Sequence, residues 1–191
     1  MQVVTKHRPL HETFDVPRGI QRFRELIVYI SSKCADDAYF GAIKLNKILY
    51  YSDFRAFRRF GMPLTGVRYQ KLRLGPAPKS LLHVRRALVD EGALRVDKVD
   101  VPGGYTQDRT VALRDPVLSH FSDDEISLVD EVIRELWPQT GSQVSDVSHD
   151  VRWRVMNLGD AMPYELAFLS DEKPTEKDRK RTDELAAEFG W

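Results

Sequence analysis

Apolar positions recur along the chain with two periods. Phe23, Leu26, Ile27 and Ile30 repeat at i, i+3, i+4 and i+7, one stripe of an amphipathic helix, with Pro17 tolerated in its first turn. Lys33 to Asp37 is a polar break. A second helix is predicted over about Phe40 to Phe60, stopped by Gly61-Met62-Pro63. It is apolar on more than one side: Ile43, Tyr50, Phe54 and Phe57 form one stripe, and Leu45, Ile48 and Leu49 another. Its remaining face carries Lys44, Lys47, Tyr51, Arg55 and Arg58, at offsets of 3, 7, 11 and 14, which fall on one side of a 3.6-residue helix.

Val67 to Leu74 alternates and reads as extended, and Gly75-Pro76-Ala77-Pro78 reads as a break. A third helix, about Lys79 to Glu91 with Gly92 as cap, buries Leu81, Val84, Leu88 and Val89 and shows Lys79, His83 and Arg86 on its far side. Period two returns over Leu94 to Val101 and Tyr105 to Leu113 around Pro102-Gly103-Gly104, a hairpin pattern. Ser122 with Glu125, then Thr140 with Gln143, are capping boxes. The first opens a helix carrying Ile126, Val129, Ile133 and Leu136. The second opens one expected to run through Val144, Val147 and Val151. Met162 to Leu169 suggests one more short helix, and Thr175 with Asp178 caps a last charged one ending in Phe189 and Trp191. The fold class is therefore mainly α (α+β): a compact helical domain with a short mid-chain β-hairpin or small sheet. Residues 1–16 read as an N-terminal arm, 17–170 as the domain, and 171–191 as a charged C-terminal helix or tail.

Composition narrows this further. The chain has 191 residues, 42% of them hydrophobic and 30% charged, enough for one real core and incompatible with wholesale disorder. A single cysteine, Cys34, excludes an internal disulfide and a Cys-rich zinc site, and a reduced cytoplasmic setting is expected. No apolar block of signal-peptide or membrane-spanning length occurs, so no membrane partner is expected. Lys plus Arg and Asp plus Glu are equal at 29 each, yet they are unevenly placed. Nine basic residues and no carboxylate lie between Asp53 and Asp90, against seven acids and one Arg from Asp115 to Glu135.

Catalytic signatures are missing: there is no phosphate loop, dinucleotide fingerprint, nucleophile elbow or H-E-x-x-H helix. His7 and His11 lack a third metal ligand, and no catalytic, cofactor-binding or metal residue is expected. Cys34 beside Lys33 has a slightly lowered pKa as its reactive reading and a small packed thiol as its plain one. His149 has two readings. It is a general base oriented by Asp146 or Asp150, or, favoured, a buried imidazole bonded to backbone with the Trp153 indole packed beside it. The cationic face, with Tyr51 in its middle, has the composition of an interface anchor. A basic surface could meet nucleic acid or an acidic protein. A helix, a glycine and a hairpin also suggest a winged helix, but Asp97, Asp100 and Asp108 make that hairpin a poor seeker of phosphate, and the protein partner is favoured.

Several segments resemble, in order, the Panacea domain of SocA-like antitoxins. They are Lys44-Leu45-Asn46-Lys47-Ile48-Leu49-Tyr50-Tyr51, Gly61-Met62-Pro63-Leu64, Leu74-Gly75-Pro76, Phe121-Ser122-Asp123-Asp124-Glu125, Ser145 to Trp153, and Met162-Pro163-Tyr164-Glu165. The likeness spans about residues 20–170. Asn46 stands where Gln is usual, Ala77 where Val is, and Val144 and Ser148 where Leu and Thr are, all conservative changes. The resemblance implies a non-enzymatic antitoxin that binds and neutralises a neighbour-encoded toxin of a bacterium, prophage or phage. An alternative it implies is an adaptor delivering the toxin to a cytoplasmic protease, and a winged-helix-like nucleic-acid-binding regulator remains a third reading. Lys44, Lys47, Tyr51, Arg55, Arg58, Lys79 and Arg86 are the expected toxin contacts. Lys44 and Lys47 have a nearly equal alternative: pairing with the acidic helix that starts at Ser122.

Overall fold

The computed structural model describes residues 10–101 and 104–189. His7, Pro102, Gly103 and Trp191 therefore lie outside the described residues. The architecture is mainly helical with two small antiparallel sheets. Helix α1 (Gly19–Lys33) and helix α2 (Ala42–Phe60) form its centre. The stripe Phe23, Leu26, Ile27 and Ile30 is fully buried, as are Leu45, Ile48, Leu49 and Tyr50 of α2. Each such side chain contributes about 1.5–3 kcal/mol of transfer free energy, which is why α2 carries more than one apolar stripe: elements cover it on most sides. It ends where the chain chemistry predicts, at Gly61 with φ 78°, and the Gly61 amide donates to the Phe57 carbonyl at 2.9 Å.

Strand β1 (Tyr69–Leu72) pairs antiparallel with β2 (Gly75–Pro78), whose residues are all buried against α2. The expected break at Gly75-Pro76-Ala77-Pro78 is thus a strand. Pro76 and Pro78 face Lys71 and Tyr69, while the Lys79 amide donates to the Arg68 carbonyl at 2.9 Å. That register puts both prolines at the non-hydrogen-bonded pairs, where a missing N–H removes nothing from the ladder. Helix α3 (Leu81–Asp90) follows, with Val89 on its exposed side rather than in the core. Strands β3 (Leu94–Val101) and β4 (Tyr105–Ala112) form the expected hairpin, Leu94 facing Ala112 and Val101 facing Tyr105.

Helix α4 (Asp123–Leu136) starts with both halves of its capping box made: the Glu125 amide donates to Ser122 Oγ at 3.2 Å and the Ser122 amide to Glu125 Oε2 at 2.8 Å. Its Leu128, Val129, Val132 and Leu136 enter the core. The helix expected through Val151 is two. α5 (Gly141–Val147) ends at Ser148, and Asp150 caps a separate turn, α6 (Val151–Arg154), by accepting from the Arg152 and Trp153 amides. Met162 to Leu169 likewise divides into β5 (Ala161–Met162), which completes the sheet order β2-β1-β5, and a 3-10 turn at Tyr164–Phe168. Backbone bonds strap the arm across this turn: the Tyr164 amide donates to the His11 carbonyl at 2.9 Å and the Phe14 amide to the Gly66 carbonyl at 3.1 Å. Helix α7 (Glu176–Phe189) closes the described chain. Among the described residues no helix is long and apolar enough to cross a membrane.

Candidate functional site

The cationic face of α2 does not stand in solvent as one stripe. Lys44 and Lys47 are each 1% exposed and Tyr51 is 5% exposed, whereas Arg55 is half-buried and Arg58 exposed. Helical phase places the five residues on one side, but the loop before α2, the β1–β2 turn and the α5–α6 junction cover its first half.

Part of the uneven charge is resolved inside the molecule. Lys44 Nζ donates to Asp37 Oδ2 at 2.5 Å and to the Trp137 carbonyl at 2.8 Å. It thus neutralises a carboxylate and sits at the negative C-terminal end of the acidic helix α4. Arg55 grips Glu135 of α4 with two bonds, 2.6 and 2.8 Å, and holds that carboxyl below the usual carboxylate range. Arg22 pairs with Glu125, Arg59 with Glu131 and Lys33 with Asp130. Four of the six acids of α4 are thus matched by bases of α1 and α2, and Asp123 and Asp124 stand in its first turn. The expected pairing of Lys44 and Lys47 with this helix therefore takes another form: Lys44 reaches its terminal carbonyl, and Arg22, Lys33, Arg55 and Arg59 take four of its acids.

Where α2 emerges from this cover, a cleft of about 530 Å³ opens. Tyr51 forms its floor, with the Arg55 guanidinium 5.4 Å from the ring centre and that of Arg152 at 6.0 Å. Burial pushes the Tyr51 phenol up to about 12. Phe54, Val147, Val151, Ala167 and Leu169 supply apolar wall, and Arg58, which makes no ion pair among the described residues, stands on the rim. Asp150 holds Arg152, through Nε at 2.7 Å. Asp171 fixes the opposite lip to α6, accepting from the Val151 amide at 3.0 Å and pairing with Arg154. Next to Tyr51, at 5.1 Å between ring centres, the Tyr50 hydroxyl is buried and has no hydrogen-bond partner among the described residues. Exposed Phe168 extends the apolar surface beyond Leu169 and meets Phe57 at 5.6 Å between ring centres.

Of the seven expected contact residues, Tyr51, Arg55 and Arg58 line this cleft. Lys44 and Lys47 lie beneath the surface, and Lys79 and Arg86 are exposed but do not line it. Glu135, Arg152 and Asp171 are not among the expected contacts, and Asp150 enters the sequence reading only as a partner for His149; the Asp150–Arg152 spacing at the head of a capped turn is the one local sign of their pairing.

His149 and Trp153 stack at 4.1 Å, and Lys71 Nζ lies over the indole, 3.6 Å from its ring centre. The indole N–H donates to the Leu72 carbonyl at 2.9 Å. The imidazole packs beside the indole as favoured, but its occluded Nε2 has no partner among the described residues, so the expected backbone bond is not made there. Asp150 commits its carboxylate to Arg152 and the α6 amides, and among the described residues no hydrogen bond joins Asp146 or Asp150 to the imidazole. Cys34 is buried, and burial together with the nearby Asp37 charge pushes its thiol up to about 12, opposite to the lowering suggested by Lys33. His11 bonds Glu165 through Nδ1 at 2.5 Å, and no group of metal-ligating side chains occurs among the described residues.

Residues 45–154 match the family described as antitoxin SocA-like, Panacea domain, and that span is more than half of the sequence. The chain belongs to this antitoxin family. No curated protein and no solved structure matches it. The matched span holds Tyr51, Arg55, Arg58, Glu135, Asp150 and Arg152, most of the polar lining of the cleft.

Proposed function

We propose that this chain is the antitoxin of a toxin–antitoxin pair, that it neutralises its toxin in the cytoplasm by direct, stoichiometric binding, and that the toxin is held at the cleft floored by Tyr51. The observation that carries this reading is the cleft itself. Inside the family-matched span, a tyrosine with two guanidiniums within about 6 Å of its ring centre lines a 530 Å³ concavity with an apolar wall. Tyr and Arg at the centre of a concave, partly desolvated surface is the composition of binding hot spots.

The rim carries both signs: Arg55, Arg58 and Arg152 against Glu135, Asp150, Asp171 and Glu172. Such a rim sets register and discriminates among partners more than it attracts any one charge, which favours a protein over a nucleic-acid backbone. The cleft is equipped to occlude. Its phenol stays protonated near neutrality, and the Glu135 and Asp150 carboxylates are committed to arginines.

The test is co-expression with the neighbouring reading frame. That frame alone should stop growth, and the chain should restore it. Arg58→Glu with Arg55→Glu should abolish protection while circular dichroism holds and the melting temperature falls by no more than about 5 °C, and Lys79→Glu with Arg86→Glu should protect like the parent. Protection that survives the first pair places the contact elsewhere. A toxin whose half-life lengthens when the chain is deleted would favour delivery to a protease over neutralisation.

A further inference from the structure

Two lysines one turn apart on α2 are equally buried, yet only one has a counter-ion. Lys44 meets Asp37 at 2.5 Å. Lys47 Nζ has the Pro76 carbonyl, at 3.0 Å, as its acceptor, and no carboxylate pairs with it among the described residues. An ammonium carries three donors and a full charge, so one neutral acceptor in a dry site leaves it poorly compensated.

Lys47 also lies where three chain segments close on one another. A Cβ on Gly75, at φ +89°, would lie 2.6 Å from Lys47 Cε and 2.9 Å from Nζ, and would collide with Ser148 Oγ. Ser148 is fully buried, donates to the Ser145 carbonyl at 2.6 Å and terminates α5. Two residues later Asp150 begins α6, whose Val151 and Arg152 are wall of the cleft. The lysine head, the β1–β2 turn and the α5–α6 junction therefore share one packed point without a charge to balance the amine.

We propose that Lys47 is a proton-operated latch: uncharged, it lets the β1–β2 turn and the α5–α6 junction close on it, and taking up a proton loosens that junction and the cleft wall it carries. The latch is a property of the fold and stands whatever occupies the cleft.

The groups around it agree with this assignment. On α2 these are Lys44, already neutralised by Asp37, and the phenols Tyr50 and Tyr51. From β1 and its turn come Lys71, which donates to the Met156 carbonyl at 2.7 Å and covers the Trp153 ring, and the exposed Arg73. β2 brings no ionisable group. The α5–α6 region brings Asp146, His149, Asp150 and Arg152, the last two paired with each other. Burial alone lowers the Lys47 amine to about 7, with no charged neighbour contributing. The closed form thus releases a proton that an opened, hydrated Lys47 keeps up to its ordinary value of 10.5. Opening is accordingly favoured as pH falls from 10.5 to 7 and changes no further once both forms are protonated.

The experiment reads the full chain directly. Lysine Cε chemical shifts followed with pH should show Lys47 titrating near 7, and a midpoint at or above 9 overturns the proposal. Amide hydrogen exchange, corrected for its intrinsic pH dependence, should show protection of residues 147–155 falling about tenfold from pH 8 to pH 6 and staying level below that. Lys47→Met should make that protection independent of pH, with Lys47→Gln as a second neutral variant. Should both fold poorly, the parent chain still decides: titration near 7 with unchanged protection of 147–155 also overturns the latch.

Discussion

Lys44 and Asp37 form an ion pair of 2.5 Å with side chains only 1% and 2% exposed, between the loop that precedes α2 and α2 itself. Two desolvated charges are tolerable there because each has further partners. Asp37 Oδ1 accepts from the Tyr39 amide at 2.9 Å, and Lys44 also donates to the Trp137 carbonyl. The pair thereby ties the α1–α2 loop to the end of α4.

Breaking one side of this pair should cost far more than removing both. Asp37→Asn keeps the acceptor for Tyr39 but strands the ammonium, and the expected loss is about 3–5 kcal/mol in urea unfolding. The double variant Asp37→Asn with Lys44→Met should recover most of it, short of about 1 kcal/mol for the unpaired Trp137 carbonyl. Equal losses in the single and double variants would mean that the pair does not carry the effect.

Asp53 is buried in the core beside Thr65, Tyr69 and Tyr164. Its carboxyl accepts from the Thr65 amide and the Tyr69 hydroxyl, both at 2.8 Å, and from Thr65 Oγ1 at 2.5 Å. Burial raises its pKa against the pull of these donors. The native state therefore binds a proton that the unfolded chain has lost above 3.8, so this contribution is full below 3.8 and is lost as pH rises through the raised native value. Asp53→Asn, which stays neutral, should remove that slope at a modest cost. Asp53→Ala should cost about 3 kcal/mol or more by leaving buried donors unpaired. Stability measured against pH for the three proteins decides it.

Local chemistry explains what was legible beforehand. Gly61, the Ser122–Glu125 box and the Thr140–Gln143 box each fix a helix end with residues three or four apart, so the sequence alone marks them. The α2 stripe was misread because periodicity gives a face and not its cover. Lys44 and Lys47 look like Arg55 and Arg58 until Asp37, Trp137 and Pro76 arrive from other segments. The two prolines of β2 read as a break because their harmlessness depends on register with β1. The cleft was half visible for the same reason: Tyr51, Arg55 and Arg58 share a helix face, whereas Glu135, Arg152 and Asp171 come from far along the chain.

Arg55 and Glu135 have side chains 36% and 52% exposed, so their two-bonded pair should contribute about 1 kcal/mol or less. Arg55→Gln should lower stability by no more than that, Arg55→Glu, which sets two carboxylates side by side, by up to about 1 kcal/mol more, and the swap Arg55→Glu with Glu135→Arg should restore it. Glu135 has a lowered pKa, so its share is present above the ordinary 4.5 and disappears as pH falls through the lowered value. Thermal melts at pH 7 and pH 3.5 test both statements. A larger loss in Arg55→Glu would undermine its use as a probe of binding that spares the fold.

Helix α7 holds itself together by local bonds: the Thr175 amide and hydroxyl reach Asp178 at 2.8 and 2.6 Å, and Arg181 pairs with Glu184. No hydrogen bond or ion pair joins it to the rest of the described chain. Only Leu185 and Ala186 are half-buried among its described side chains, and a 14-residue helix with so little packing is marginal in water, because few bonds offset its nucleation cost. Its basic residues also crowd the first half, from Lys177 to Arg181, where the helix dipole disfavours them. Truncation after Pro174 should therefore leave the cooperative transition in place, its midpoint moved by less than about 2 °C. The circular dichroism it removes should be the part that declines gradually on heating, well below that transition. A truncated chain that melts much earlier, or loses cooperativity, would show that α7 packs on the body of the protein.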